Sequence, residues 1–228
     1  MLERRQSAEA KQQHKRSKEF CIIGKEFQFN KVSKMSEFGL WFSTGVEHIT
    51  TDGAYDHILF VALVVVAFPV TEWKKILLLI TGFTIGHSLS LIMSVYNIFV
   101  LKQSVAELFI ILTILLTGIF HLWNFRQTAM KNTRILYLLI PLFGGIHGMG
   151  FSYVLREMLG KTGSPGLPLF YFNLGIEAGQ VIIVALVLLF SLLLSRVFKL
   201  KHTHLKISVS CIAILFSIFI LLQRWYFS

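Results

Sequence analysis

Charge is scarce in this chain. Asp, Glu, Lys and Arg together make up 15% of its 228 residues, where a soluble domain carries about 25%. Thiols are scarcer: the two cysteines, Cys21 and Cys211, lie far apart and match no C-x-x-C spacing, which argues against a disulfide framework or a thiolate zinc site. Acidic residues are outnumbered 12 to 22 by Lys and Arg. In a soluble protein that imbalance would suggest nucleic acid. Here the basic residues sit in loops and in the leading tail, so they read as topology determinants with no nucleic-acid partner. What the chain has in abundance is apolar surface, 54% hydrophobic and 14% aromatic, and the lipid bilayer is its expected partner.

A membrane helix needs about 20 mostly apolar residues, and four segments meet that length: 76–98, 104–124, 134–156 and 168–195. Two shorter ones, 54–71 and 206–224, bring the expectation to six. The fold class read from the sequence is therefore all-α, a polytopic membrane helix bundle over 36–228. Residues 1–35 differ in composition, with nine Lys/Arg against four Glu from Met1 to Lys34 and no apolar core of signal-peptide length. They read as a disordered basic tail, with Met35 as an alternative start. Residues 36–50 read as a short re-entrant or interfacial segment, too short and polar for a crossing of their own.

The loops after the first, third and fifth spans carry nine Lys/Arg, and the alternate loops with the C-terminus carry four. The positive-inside rule makes the first set cytoplasmic and starts the first span outside. The basic tail pulls the other way, a conflict that its removal or a re-entrant segment would resolve. In this orientation the ionisable residues form a series. His48, Asp52, Asp56 and His57 stand at the outer mouth of the first span and Glu107 one turn into the third. His87, His147 and Glu177 fall near the middle of the second, fourth and fifth.

Each such group is costly in hydrocarbon and faces the bundle interior or a pathway. Asn173, Glu177 and Gln180 follow i, i+4, i+7 spacing and share one helical stripe. Pairs of glycine four apart, Gly82/Gly86, Gly144/Gly148 and Gly175/Gly179, stand beside His87, His147 and Glu177 and permit close helix approach. His, Asp and Glu without thiolates suit nickel, cobalt, zinc or iron. The candidate metal ligands are His48, Asp56, His57, His87, His147 and Glu177, supported from behind by Asn173, Gln180, Glu107 and Ser88. A purely structural reading also exists for each: Asp52 or Asp56 caps a helix start, and a lone His bonds helix to helix. His121 reads as interfacial, and His202 and His204 in "KLKHTHLK" as parts of a basic cytoplasmic loop.

The blocks "GVEHITTDGAYDHILF", "FTIGHSLSL", "GGIHGMGFS" and "FNLGIEAGQ", in this order, resemble the signature blocks of the HupE/UreJ family of bacterial membrane proteins, over roughly residues 40–225. The resemblance implies a six- or seven-helix, multi-pass inner-membrane protein tied to nickel or cobalt supply for hydrogenases and ureases, acting as a secondary permease. The first block is similar in kind to the H-x4-D-H element of nickel/cobalt permeases. It departs from it in that seven residues separate His48 from Asp56, so the three need not share a face.

The leading expectation is a divalent-metal permease that captures nickel, cobalt or a related ion at the outer mouth and holds it deeper in the membrane. The rival is an intramembrane metal-dependent hydrolase using the same ligands. It is favoured by the scarcity of inward ligands, where only Ser90, Thr84, Thr113, Thr117 and His121 offer polar groups. A partner-binding or structural membrane protein is the third reading.

Overall fold

A computed structural model describes residues 36–51, 54–124, 133–160 and 164–227. The tail 1–35, Asp52 and the loop residues Arg126, Lys131 and Lys161 lie outside the described residues. Seven α-helices occur among those described: α1 Glu37–Thr50, α2 Tyr55–Val66, α3 Trp73–Val95, α4 Gln103–Trp123, α5 Thr133–Leu159, α6 Gly166–Val197 and α7 His202–Phe227. In lipid every backbone polar group must be paired within its own segment, so long apolar runs have helix as their available form. Helices α3 to α7 are each long and apolar enough to cross a membrane. The chain is a polytopic helical membrane protein.

The first crossing differs from the expected 54–71. Helix α2 ends at Val66, and its 12 residues rise only about 18 Å, too little for the hydrocarbon core. The missing half is α1, inclined to α2 by 72°. The run Thr50-Thr51-Asp52-Gly53 between them is poor in helix formers. Thr50 and Thr51 turn their hydroxyls back onto the carbonyls of Val46 and Glu47, at 2.7 and 2.6 Å, an arrangement that bends helices.

Neighbouring contacts give the direction of both halves. Helix α1 runs parallel to α6, with Gly45 against Phe172 and Gly175, and Ile49 and Thr50 against Gly179. Helix α2 runs antiparallel to α7: the Phe68 carbonyl just past its end is 3.0 Å from His202 Nε2, and Tyr55 at its start lies against Phe216. Since α6 and α7 are consecutive crossings, α1 and α2 run the same way, as one crossing broken in the middle. The segment expected to be interfacial instead buries Trp41, Gly45 and Ile49.

Helix α3 packs along α5, backbone on backbone. A Cβ on Gly86 would overlap the Pro141 carbonyl, and one on Gly144 the Phe83 carbonyl. Only glycine permits this approach, which sets His87 of α3 beside α5. Helix α4 packs on α7 and α5, while α2 fits between α7, α6 and α4. The core is aliphatic and aromatic, with Phe60, Phe83, Phe172, Leu63, Leu79 and Leu91 fully buried.

Candidate metal centre

The break between α1 and α2 is what builds the site. It ends α1 with His48 in its last turn and starts α2 with Asp56 and His57 in its first, so the two imidazoles meet with ring centroids 4.8 Å apart. His87, from the middle of α3, completes the group at 5.7 Å from His48 and 6.0 Å from His57. One nitrogen of each of these three histidines lies within 4.8 Å of the others. His147 on α5 adds a fourth imidazole, 5.1 Å from His57.

Hydrogen bonds set which nitrogens face inward. Asp56 Oδ1 stands 2.9 Å from His57 Nδ1, so a ring N–H there donates to the carboxylate and leaves Nε2 with its lone pair. The Phe143 carbonyl, 2.8 Å from His147 Nδ1, does the same for His147. Among the described residues, Nε2 of His48, His57, His87 and His147 and also Nδ1 of His87 are buried without a hydrogen-bond partner. An unpaired buried polar atom costs about 1–3 kcal/mol, and five such atoms stand together here. Neutral imidazoles that keep a free lone pair are the donors that zinc, nickel and cobalt prefer.

Aromatic rings wall the cluster. Phe151 lies 3.9 Å from His48 by ring centroids and stacks on Phe172, while Phe83 and Phe60 flank His147 at 5.1 and 5.3 Å. These walls keep bulk water from competing for the nitrogens. His57, His87 and His147 are buried and His48 is half-buried.

The two stations expected from the sequence, an outer mouth and a deeper site, are therefore one place as far as the histidines are concerned. Asp56 stands behind His57. Glu177 is not among the converging ligands; its carboxylate accepts a 2.6 Å hydrogen bond from Thr81, two turns before His87 on α3. Gln180 is bonded to Thr84, one turn before His87, and Ser88 returns its hydroxyl to the Thr84 carbonyl at 2.7 Å. Asn173 donates to the Leu169 carbonyl of its own helix at 2.8 Å. Glu107 belongs elsewhere, paired with Gln103 at 2.9 Å and Arg224 at 3.3 Å. The sequence reading missed Thr81 and the four phenylalanines, because a hydroxyl or an aromatic ring in an apolar helix carries no signal of its own there.

The family model described as "HupE / UreJ protein" matches residues 25–227, which takes in every helix described. The chain belongs to the HupE/UreJ family. No curated protein and no solved structure matches it. All four histidines of the cluster fall within the part of the chain that this HupE/UreJ match covers.

Proposed function

We propose that this HupE/UreJ protein is a permease of the cytoplasmic membrane for a divalent transition-metal ion, nickel, cobalt or zinc. The observation that carries the reading is the convergence of His48, His57 and His87 to within 4.8 Å inside the membrane, with buried nitrogens left to a ligand. On a tetrahedral ion with bonds of 2.0–2.1 Å, such nitrogens stand roughly 3.4 Å apart, within reach of small side-chain rotations. His147 is the fourth donor, and Asp56 offsets charge from behind His57.

From this site the polar pairs Gln180/Thr84 and Glu177/Thr81 continue along α3 toward its start, the end that the Lys/Arg bias assigns to the cytoplasm. A discontinuous helix with an ion site at its break is a recurring device of secondary transporters. The membrane potential would drive import by about 2.3 kcal/mol per charge per 100 mV.

The test is uptake of nickel, cobalt and zinc into proteoliposomes, with His87→Ala and Glu177→Gln beside the native chain. Accumulation by the native protein, lost in His87→Ala and reduced in Glu177→Gln while the latter still binds metal, is the expected result. A second reading, a membrane metallohydrolase, is favoured by one feature: three imidazoles backed by a carboxylate are the donor set of catalytic zinc with an open position. Tightly bound metal without flux in the native protein would reject the permease and leave that reading standing.

A further inference from the structure

The phenylalanines around the histidine cluster fall into two layers, one on each side of it. Phe60 follows His57 by three residues on α2, while Phe83 and Phe143 precede His87 and His147 by four on α3 and α5. Helix α3, the next crossing, runs opposite to α2, and α5 runs parallel to α3, with Gly86 against Pro141 and Gly148 against His87. These three rings therefore lie on one side of the cluster, the cytoplasmic side by the Lys/Arg bias. Phe60 joins them, its centroid 5.1 Å from Phe83 and 5.8 Å from Phe143. Phe151 follows His147 by four residues and so lies on the opposite, outer side. There it stacks on Phe172, with centroids 5.4 Å apart and planes 3° from parallel.

Apolar constrictions stop a hydrated ion by excluding its water, and each layer joins rings locked in the core to one that is not. Phe60, Phe83 and Phe172 are fully buried, whereas Phe143 and Phe151 are only partly buried. Both of the latter belong to α5, one turn to either side of His147. Between them α5 touches α3, where a Cβ on Gly144 or Gly148 would overlap the backbone of Phe83 or His87. A tilt of α5 about this contact withdraws one ring as it advances the other. On the inner side a displaced ring has room, because Phe60 and Phe143 line a cavity of about 760 Å³ whose walls also include Val64, Leu136 and Leu139.

We infer that Phe151 with Phe172 forms the outer gate of the ion path, that Phe143 with Phe60 and Phe83 forms the inner gate, and that the structure is the occluded state between them. This rests on the permease reading of the histidine cluster. Withdrawal of Phe151 opens the way from outside to His48. Withdrawal of Phe143 opens the cluster toward the cytoplasm. Because both rings ride on α5, on opposite sides of its contact with α3, the path is never open from end to end.

The test is release of bound radioactive nickel, cobalt or zinc, tried in turn, from the full chain in liposomes sorted into outside-out and inside-out populations, with a membrane-impermeant chelator added to the medium. Release from the native chain is expected to be slow in both. Phe151→Ala should speed it about tenfold in the outside-out population alone, and Phe143→Ala about tenfold in the inside-out population alone, the rate equivalent of one strong aromatic pair. Leu142→Ala, exposed on α5 beside Phe143, should change neither. Phe172→Leu and Phe60→Leu, which keep apolar bulk and remove the ring, carry the same prediction for the outer and inner face should an alanine variant fail to fold. Faster release at both faces from one variant, or at neither face from any of the four, overturns the gates and leaves the metal centre standing. Uptake by the native chain in the same liposomes reports on the permease reading separately, and its absence with metal still bound overturns that reading and the gates with it.

Discussion

Asp56 grips its own neighbour twice: Oδ1 accepts from the His57 backbone N–H at 2.8 Å and from the ring Nδ1 at 2.9 Å. One carboxylate oxygen therefore pairs a backbone N–H in the first turn of α2 and also orients the imidazole that α2 delivers to the cluster. In the proposed centre a metal ion at His57 Nε2 would depend on this, because a ring free to flip would present either nitrogen.

Replacing Asp56 by Asn keeps the shape and removes the charge. Metal affinity is expected to fall by about 10- to 100-fold, the usual effect of losing a carboxylate behind a ligating His, as measured by competition with a chelating dye. Affinity equal to that of the native protein would remove Asp56 from the site.

His87 is the imidazole that α3 brings to the cluster, and both its ring nitrogens are buried without partners among the described residues. His87→Ala should lose stoichiometric metal as counted by elemental analysis of purified protein. His204→Ala, exposed in the first turn of α7, should keep it. Full metal content in His87→Ala would refute the proposed centre.

The approach of α3 to α5 leaves no room at Gly86, where a Cβ would overlap the backbone of Pro141. Gly86→Ala forces the helices apart and is expected to destabilise the fold by about 1–3 kcal/mol, as overpacking does. A lower melting temperature in detergent with weakened metal binding is the outcome to look for. An unchanged melting temperature would mean that the two helices do not meet there.

Glu107 pairs with Arg224 across α4 and α7, with side-chain exposures of 45% and 32%. Exposed pairs contribute about 0–1 kcal/mol, so Glu107→Gln should leave metal stoichiometry intact and shift stability by no more than that. Loss of metal in this variant would return Glu107 to the site from which the geometry removes it.

Much of this was legible in the residues alone. Five crossings follow from apolar runs that lipid compels to be helical, and the glycine pairs beside His87, His147 and Glu177 marked those three helices as able to pack closely. His48, His57, His87 and His147 could be picked out because ionisable groups in hydrocarbon are too costly to be accidental. Depth was harder. His48 and His57 precede an apolar run, so on a straight helix they fall at its mouth. A run of about 18 residues, 54–71, gives no sign that its crossing began in the polar-looking segment before it.

What the sequence determined by itself is the class of molecule and the identity of its costly residues, since both follow from the free energy of placing single side chains in lipid. Only the tertiary structure decided that α1 and α2 are two halves of one crossing, that their break lies beside His87, and that Glu177 turns to Thr81. Those outcomes depend on contacts between helices far apart in the chain, where glycine on one backbone meets a carbonyl on another, and no local pattern encodes which pairs will meet.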